Sequence, residues 1–261
     1  MQSTVDKSSA TDNIDKQAIA AAFSRAAVSY DSVAQLQQKT GKLLLRIGCQ
    51  HPGTVVLDVG CGTGYFSQKW RASGKKVIAL DLAEGMLQQA RRQQAADVYL
   101  LADMEKIPLS DKKVDICFSN LAVQWCHSLD AVLAEWYRVT HSGGVILFST
   151  LSAGSLDELR QAWQSVDGYH HVNDFLTLSQ IHVACSHYPH HLHHRLQQLF
   201  FPDVVTLMRS LQGIGATHLH HGRKQGLTGR QHLTALQAAY PSVVGRYPLS
   251  YQLVYGVIYR D

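Results

Sequence analysis

The chain has 261 residues, 46% of them hydrophobic, with 24 Lys and Arg against 20 Asp and Glu, a net charge of +4 at pH 7. This is ample for one large core, the charge is too mild for a nucleic-acid platform, and the longest apolar runs are far too short to span a membrane. Five cysteines (Cys49, Cys61, Cys117, Cys126, Cys185) are odd in number and form no C-x-x-C pair, which argues against a disulfide framework or zinc knuckle and predicts a reducing cytoplasm.

The opening MQSTVDKSSATDNIDK is polar and lacks the apolar stretch of a signal peptide, so disorder is expected over residues 1–15. Lys16 to Ile47 is rich in Ala, Leu and Gln and reads as two helices. Then comes VVLDVGCGTG, Val55 to Gly64: a short apolar strand, Asp58, and glycines at every second position, Gly60, Gly62 and Gly64. A dinucleotide loop needs G-x-G-x-x-G, whose third glycine would fall where Tyr65 stands. No Lys-Ser or Lys-Thr follows in phosphate-loop register, so a phosphate cradle is excluded. A tight backbone beside an acid suits a ligand carrying an ammonium group. The alternative is a glycine-rich βα turn with no ligand.

Thr63 to Ser73 reads as a helix, and Lys76 to Leu80 as a second strand ended by Asp81. An acid there can accept both ribose hydroxyls of a nucleoside, in methyl-donor and nicotinamide sites alike. Glu84 to Gln94 is helical, and Val98 to Leu101 is a third strand running into Ala102-Asp103-Met104, where Asp103 taken alone could equally cap a helix. Val114 to Ser119 forms a fourth strand and Leu129 to Val139 an amphipathic helix. Arg138 at its end is read as structural, favouring the helix C-terminus. A Gly143-Gly144 turn opens a fifth strand through Thr150. This alternation predicts a parallel sheet with right-handed crossovers, and its three acids line the edge where open α/β sheets bind ligands.

Beyond Thr150, helices are expected at Leu156 to Val166, at Asp203 to Leu211 (stopped by Gly213) and at Arg230 to Ala239, capped by Thr228. YPLSYQLVYGVIYR reads as a final strand. His191 to Phe201 fits either a helix, with Leu192, Leu196, Leu199 and Phe200 on one face, or a strand. Twelve of the fifteen histidines lie at or after His170. On a helix, His187, His190, His191 and His194 could meet a metal; on a strand they split between two faces. They are read as solvent-facing, with no metal. From Phe175 to Arg260 Asp203 is the single acid among seven Lys and Arg, either a basic face or a scattered solvated surface. Arg223 and Lys224, in the loop GRKQG, are the foremost candidates for an acidic partner.

The G-x-G-x-G loop after a strand, with Asp58, Asp81 and Asp103, resembles that of S-adenosylmethionine-dependent methyltransferases. Segments along almost the whole chain are similar to the malonyl-[acyl-carrier protein] O-methyltransferase family of biotin synthesis: AFSRAAVSYD, FSNLAVQWC, FSTLSAGSLDEL, LMRSLQGIGATHLH and RYPLSYQLVYGVI. Gln124-Trp125 and GIGATHLH carry the narrower likeness. It implies a seven-stranded Rossmann-like α/β sheet with helices on both faces, in one methyltransferase domain over residues 16–261. Within it, 16–50 would be a helical cap, 51–150 the cofactor core, 151–190 a helical insertion, and 191–261 would complete the sheet. His191 to Phe201 then becomes the sixth strand, antiparallel to the last.

The resemblance further implies S-adenosylmethionine, leaving as S-adenosylhomocysteine, with no metal. Its site would comprise Asp58, Gly60, Cys61, Gly62, Gly64, Asp81, Leu82, Met86, Asp103, Met104, Asn120 and Leu121, Asp103 taking the adenine amino group and Met104 packing on the ring. The acceptor would be the free carboxylate of a malonyl thioester on an acidic acyl carrier protein. A carboxylate is already ionised at neutral pH, so no general base is needed. Arg25, Tyr30, Gln124 and Trp125 are the substrate-positioning candidates: Tyr30 walls in the methyl and Arg25 orients a carboxylate. Two departures stand out: Asp174, where a basic residue is expected, and the histidine-rich stretch. A quinone C-methyltransferase would share every cofactor motif, and a non-catalytic cofactor-binding regulator is a further alternative. A nicotinamide enzyme is contradicted by the glycine spacing.

Overall fold

A computed structural model describes residues 14–167, 169–213 and 230–261. Residues 1–13, the GIGATHLH segment from Ile214 onward, Arg223, Lys224 and Thr228 lie outside these described residues. The N-terminal region forms three helices where two are expected: α1 (Lys16–Ala26), α2 (Tyr30–Val33) and α3 (Gln35–Gly48). The break falls in a serine-bearing stretch, where Ser29 and Ser32 hydroxyls bond the carbonyls of Ala26 and Ser29 and compete with continued helix.

The core then alternates as predicted: β1 (Val55–Val59), α4 (Tyr65–Ala72), β2 (Lys76–Asp81), α5 (Glu84–Arg92), β3 (Val98–Leu101), β4 (Val114–Asn120), α6 (Leu129–Val139) and β5 (Thr140–Leu151). After it come α7 (Asp157–Gln164), α8 (Leu178–Cys185), β6 (His190–Phe201), α9 (Val204–Gly213), α10 (Arg230–Ala239) and β7 (Tyr247–Tyr259). The described residues build a seven-stranded sheet in the order β3-β2-β1-β4-β5-β7-β6, parallel from β3 to β5, with β7 antiparallel to both neighbours.

Side chains alternate between two buried layers, as the two-residue period of a strand requires. Val56, Phe118 and Leu147 pack on one face with Leu44 of α3 and Trp70 of α4. Leu57, Cys117, Ile146 and Phe148 pack on the other with Trp136 of α6 and Ile181 of α8. Apolar area buried on both faces explains why the central strands read as near-continuous apolar runs.

Three local differences have physical causes. Gly143-Gly144 lies inside β5, because α6 runs directly into the strand and Val114 pairs with Thr140 while Ile116 already pairs with Val145. The extra residues form a bulge in which Gly143 takes φ +81° and donates its N–H to the Arg260 carbonyl. Helix α8 falls inside the expected helical insertion but is not delimited there as a helix of its own, although Thr177 and Gln180 form a capping box at its start. The His191 to Phe201 ambiguity resolves as a strand paired with β7 along its whole length. Arg138 is structural: it bonds Glu135, Asp111 and the carbonyls of Ile107 and Leu109, clamping the β3–β4 connection to α6.

No helix among the described residues is long and apolar enough to cross a membrane. Nor do the described residues contain a group of three or more His, Cys, Asp or Glu that could hold a metal ion. Asp174 is salt-bridged to Arg160 of α7 at 2.7 Å.

Candidate active site

The strand order reverses at β1: β2 and β3 lie on one side of it, β4 and β5 on the other. A cavity opens at this switch point, over the C-terminal strand ends, where open α/β sheets leave a crevice. It has two joined parts of about 720 Å³ and about 400 Å³, sharing Tyr30, Gly60, Gly62 and Asn120 in their walls.

The glycine loop forms its floor. All three glycines have positive φ, and each answers a different need. A Cβ on Gly60 would stand 2.5 Å from the Cβ of Ala122, and one on Gly64 2.3 Å from that of Ala95. Only Gly62 faces open space, with nothing within 4 Å of that position, so it is here that a ligand can touch backbone. Gly64 therefore serves closure of the loop onto α5 and its following turn, and is absent from the cavity wall.

The acids are distributed along the cavity. Asp81, the last residue of β2, lies in the wall of the larger part and accepts N–H bonds from Gly62 and Ala83, both at 2.8 Å. Burial lifts its carboxyl above the usual range, while those two N–H groups pull it down. Asp103 stands in the same wall and Asp58 in the smaller part. Asp58 is 2% exposed and accepts the Ser67 hydroxyl at 2.6 Å. Burial, aided by the charge of Asp81 and opposed by Ser67, pushes its carboxyl to about 7. Leu82, Met86, Met104 and Leu121 line the larger part, and Cys61, its thiol held protonated by burial, lines the smaller.

At the end of β4, Asn120 is fixed from two sides: its amide nitrogen donates to the Gln37 carbonyl and its oxygen accepts from Ser149. Leu121 follows in the left-handed region, φ +51°, held by its N–H to Ser149. This costly backbone turns the chain into a short 3₁₀ turn, Val123–Trp125, beside the cavity.

The positioning candidates divide. Tyr30 lies at the junction of the two parts, its phenol held protonated by burial and the charges of Asp81 and Asp31. Trp125 lines the larger part and meets Phe23 edge-on at 5.5 Å. Gln124 instead braces the turn, donating to the Leu121 carbonyl at 2.8 Å, and does not reach the cavity wall. Arg25 is exposed at the end of α1 and lines neither part.

Several wall residues escape sequence reasoning. Helix α1 contributes Ile19, Ala20 and Phe23 as an apolar lid, and Lys16 at its start binds both Asp103 and Glu105. Those carboxylates hold its ammonium pKa above the ordinary value against the opposing effect of burial. Ser24 accepts the Gly85 N–H, and Asp31 accepts the Thr63 hydroxyl at 2.6 Å. The N-terminal segment is thus tied to the loop after β1, the first turn of α5 and the loop after β3. The apolar spacing of α1 was a visible signal for this lid; the partners of Lys16 and Asp31 had none.

Comparison with known proteins adds to this geometry. Residues 57–148 match a family described as a methyltransferase domain. A malonyl-[acyl-carrier protein] O-methyltransferase of Yersinia pestis is 69% identical over 249 residues, covering 95% of this chain and 93% of the relative. One of the same name from Serratia marcescens is 63% identical over 253 residues, covering 97% and 99%. Among solved structures, a putative methyltransferase from Bacillus halodurans shares the fold with a TM-score of 0.61 at 19% identity, covering 84% of this chain and 98% of that one.

Proposed function

The chain belongs to the malonyl-[acyl-carrier protein] O-methyltransferase family, and from that premise we propose that its cavity binds S-adenosylmethionine and directs methyl transfer onto the carboxylate of a malonyl thioester on an acyl carrier protein. The observation that carries the cofactor half is the pairing of one open glycine, Gly62, with acids at three successive strand ends. Asp58 suits the ammonium, Asp81 the ribose hydroxyls and Asp103 the adenine amino group, with Met104 and Leu82 against the ring. Bound there, S-adenosylmethionine supplies a sulfonium-activated methyl and a neutral leaving thioether.

The residues of the chain do the rest by positioning, since an ionised carboxylate needs no base. Tyr30 and Trp125 wall the reacting end, and the braced Asn120 amide offers a neutral donor. Among the described residues, Lys16 is the one Lys or Arg in the cavity wall, and Asp103 and Glu105 already engage it. Tyr30, Trp125 and Asn120 are neutral donors in that wall for an acceptor carboxylate. The described cysteines are all free, which suits a reducing cytoplasm. Arg223 and Lys224 remain candidate contacts for the carrier.

Incubation with labelled methyl donor and malonyl carrier protein should yield a base-labile methyl ester. Failure to label either this thioester or malonyl-coenzyme A would overturn the assignment.

A pH effect follows from Asp58. An ammonium ligand needs this acid ionised, so S-adenosylhomocysteine affinity should fall roughly tenfold from about pH 8 to about pH 6, with proton uptake by the free site. Calorimetry in buffers of different ionisation enthalpy measures both, and Asp58→Asn should flatten the profile. The sign for stability is opposite. A folded carboxyl at about 7 holds a proton that the unfolded chain releases near ~4, so its contribution is full at low pH and is lost as pH rises through about 7.

A further inference from the structure

Between Asp31 and Asp81 the sequence holds seven Lys and Arg and a single acid, Asp58. That acid is buried in the sheet and contributes no surface charge. Within the surface built by this stretch, Arg71 of α4 is paired with Asp97 from outside it, and the exposed cations of α3 are left as its basic part. On α3, Lys39, Lys42 and Arg46 are all exposed, and their spacing of three and four residues sets them in one stripe about 10 Å long. None of the three takes part in an ion pair among the described residues. Other cations are neutralised locally, as Arg138 is by Glu135 and Asp111 and Arg160 by Asp157 and Asp174.

The stripe begins at the cavity. Gln37 and Gln38, immediately before Lys39, line its smaller part, and the Gln37 carbonyl is anchored by Asn120. Helix α3 is also rigidly seated: a Cβ on Gly41 would stand 2.2 Å from the Phe66 ring, and one on Gly48 2.5 Å from Trp70. The basic excess of the C-terminal region is different in kind. Arg246 bonds the Phe200 carbonyl and Arg260 the Thr140 carbonyl, at opposite ends of β7, so these charges do not gather into one face.

We propose that the Lys39–Lys42–Arg46 stripe is the docking surface for the acidic carrier protein that presents the acyl thioester. The acidic face of the carrier lies along α3, and the thioester reaches the cavity past Gln37 and Gln38. Charge complementarity of this kind sets encounter rate and orientation. The inference rests on the carrier-borne acceptor proposed above.

The test is steady-state kinetics of Lys39→Glu/Lys42→Glu/Arg46→Glu with malonyl carrier protein and with malonyl-pantetheine, alongside S-adenosylhomocysteine affinity and Tm. The KM for the carrier substrate should rise at least tenfold, with turnover at saturation, cofactor affinity and any malonyl-pantetheine activity unchanged. Raising salt should raise the KM of the unaltered enzyme, lower that of the charge-reversed variant and leave that of the corresponding Gln triple flat. If the reversed variant fails to fold, the Gln triple replaces it, with the same sign of change in the carrier KM. An unchanged carrier KM overturns the surface, as does a loss confined to Arg223→Glu/Lys224→Glu. An unaltered enzyme that esterifies no malonyl thioester overturns the acceptor assignment and this surface with it, a result distinct because the parent itself is silent.

Discussion

Asp81→Ala should weaken S-adenosylhomocysteine binding by more than tenfold while leaving the protein folded. Asp81 does two things at once. Its two oxygens accept the N–H groups of Gly62 and Ala83, which fixes the loop after β1 against the loop after β2. Its remaining lone pairs face the cavity, where ribose hydroxyls are expected. A bond to an ionised acceptor contributes about 1.5–3 kcal/mol, and about 1.4 kcal/mol is a factor of ten, so losing even one reaches the predicted change. Global stability should suffer little, because burial already disfavours the charge that is removed and the freed N–H groups border a wet cavity. Asp81→Asn separates the two roles. It keeps the shape and one accepting oxygen, but turns an amide NH2 toward a backbone donor, and should fall between the parent and Ala. Calorimetric titration with thermal melts checks both. Unchanged affinity in the Ala variant would mean that the ligand does not use the end of β2.

How far the site could be read ahead of the structure depended on the range of each constraint. Asp58, Asp81 and the glycine loop were legible because a buried strand, a sharp turn and an acid follow one another within a few residues. The order of the central strands was legible because short βα connections leave few topologies. Strand β6 was not decidable from its own pattern: Leu192, Leu196, Leu199 and Phe200 fit a helical face, and pairing with β7 overrides it. Helix α8 carries a local signal in Thr177 and Gln180, a capping box too short to fix a helix without a clear apolar stripe behind it. Arg25 was expected to hold substrate because of its segment, yet at the end of α1 it is exposed and lines neither part of the cavity that Tyr30 walls. The ties of Lys16 to Asp103 and Asp31 to Thr63 span distances in sequence that no periodicity encodes. The α3 stripe lay open to simple counting; what the structure added was that Asp58 is buried and that Gln37 and Gln38 meet the cavity.

The loop glycines should separate binding from stability. Gly64→Ala places a methyl at φ +86°, 2.3 Å from the Cβ of Ala95 and 3.1 Å from that of Ala90. The left-handed backbone costs about 1–2 kcal/mol for a residue with a Cβ, and forced overpacking adds about 1–3 kcal/mol. Neither neighbour is a flexible side-chain end, so relief requires moving α5 or the turn after it. A net loss of about 3 kcal/mol corresponds to a Tm fall of roughly 6–12 °C at this chain length. Gly62→Ala carries comparable backbone strain, at φ +56°, without the clash, because nothing lies within 4 Å. Its Tm should fall by less than half as much. Its methyl, however, occupies the one stretch of loop that a ligand can approach, so S-adenosylhomocysteine binding should be lost in a protein that still melts cooperatively. Gly64→Ala, measured well below its lowered Tm, should retain much of its affinity. Equal losses of affinity in the two variants would mean that the loop responds as one strained unit, and that Gly62 has no separate role in admitting the ligand.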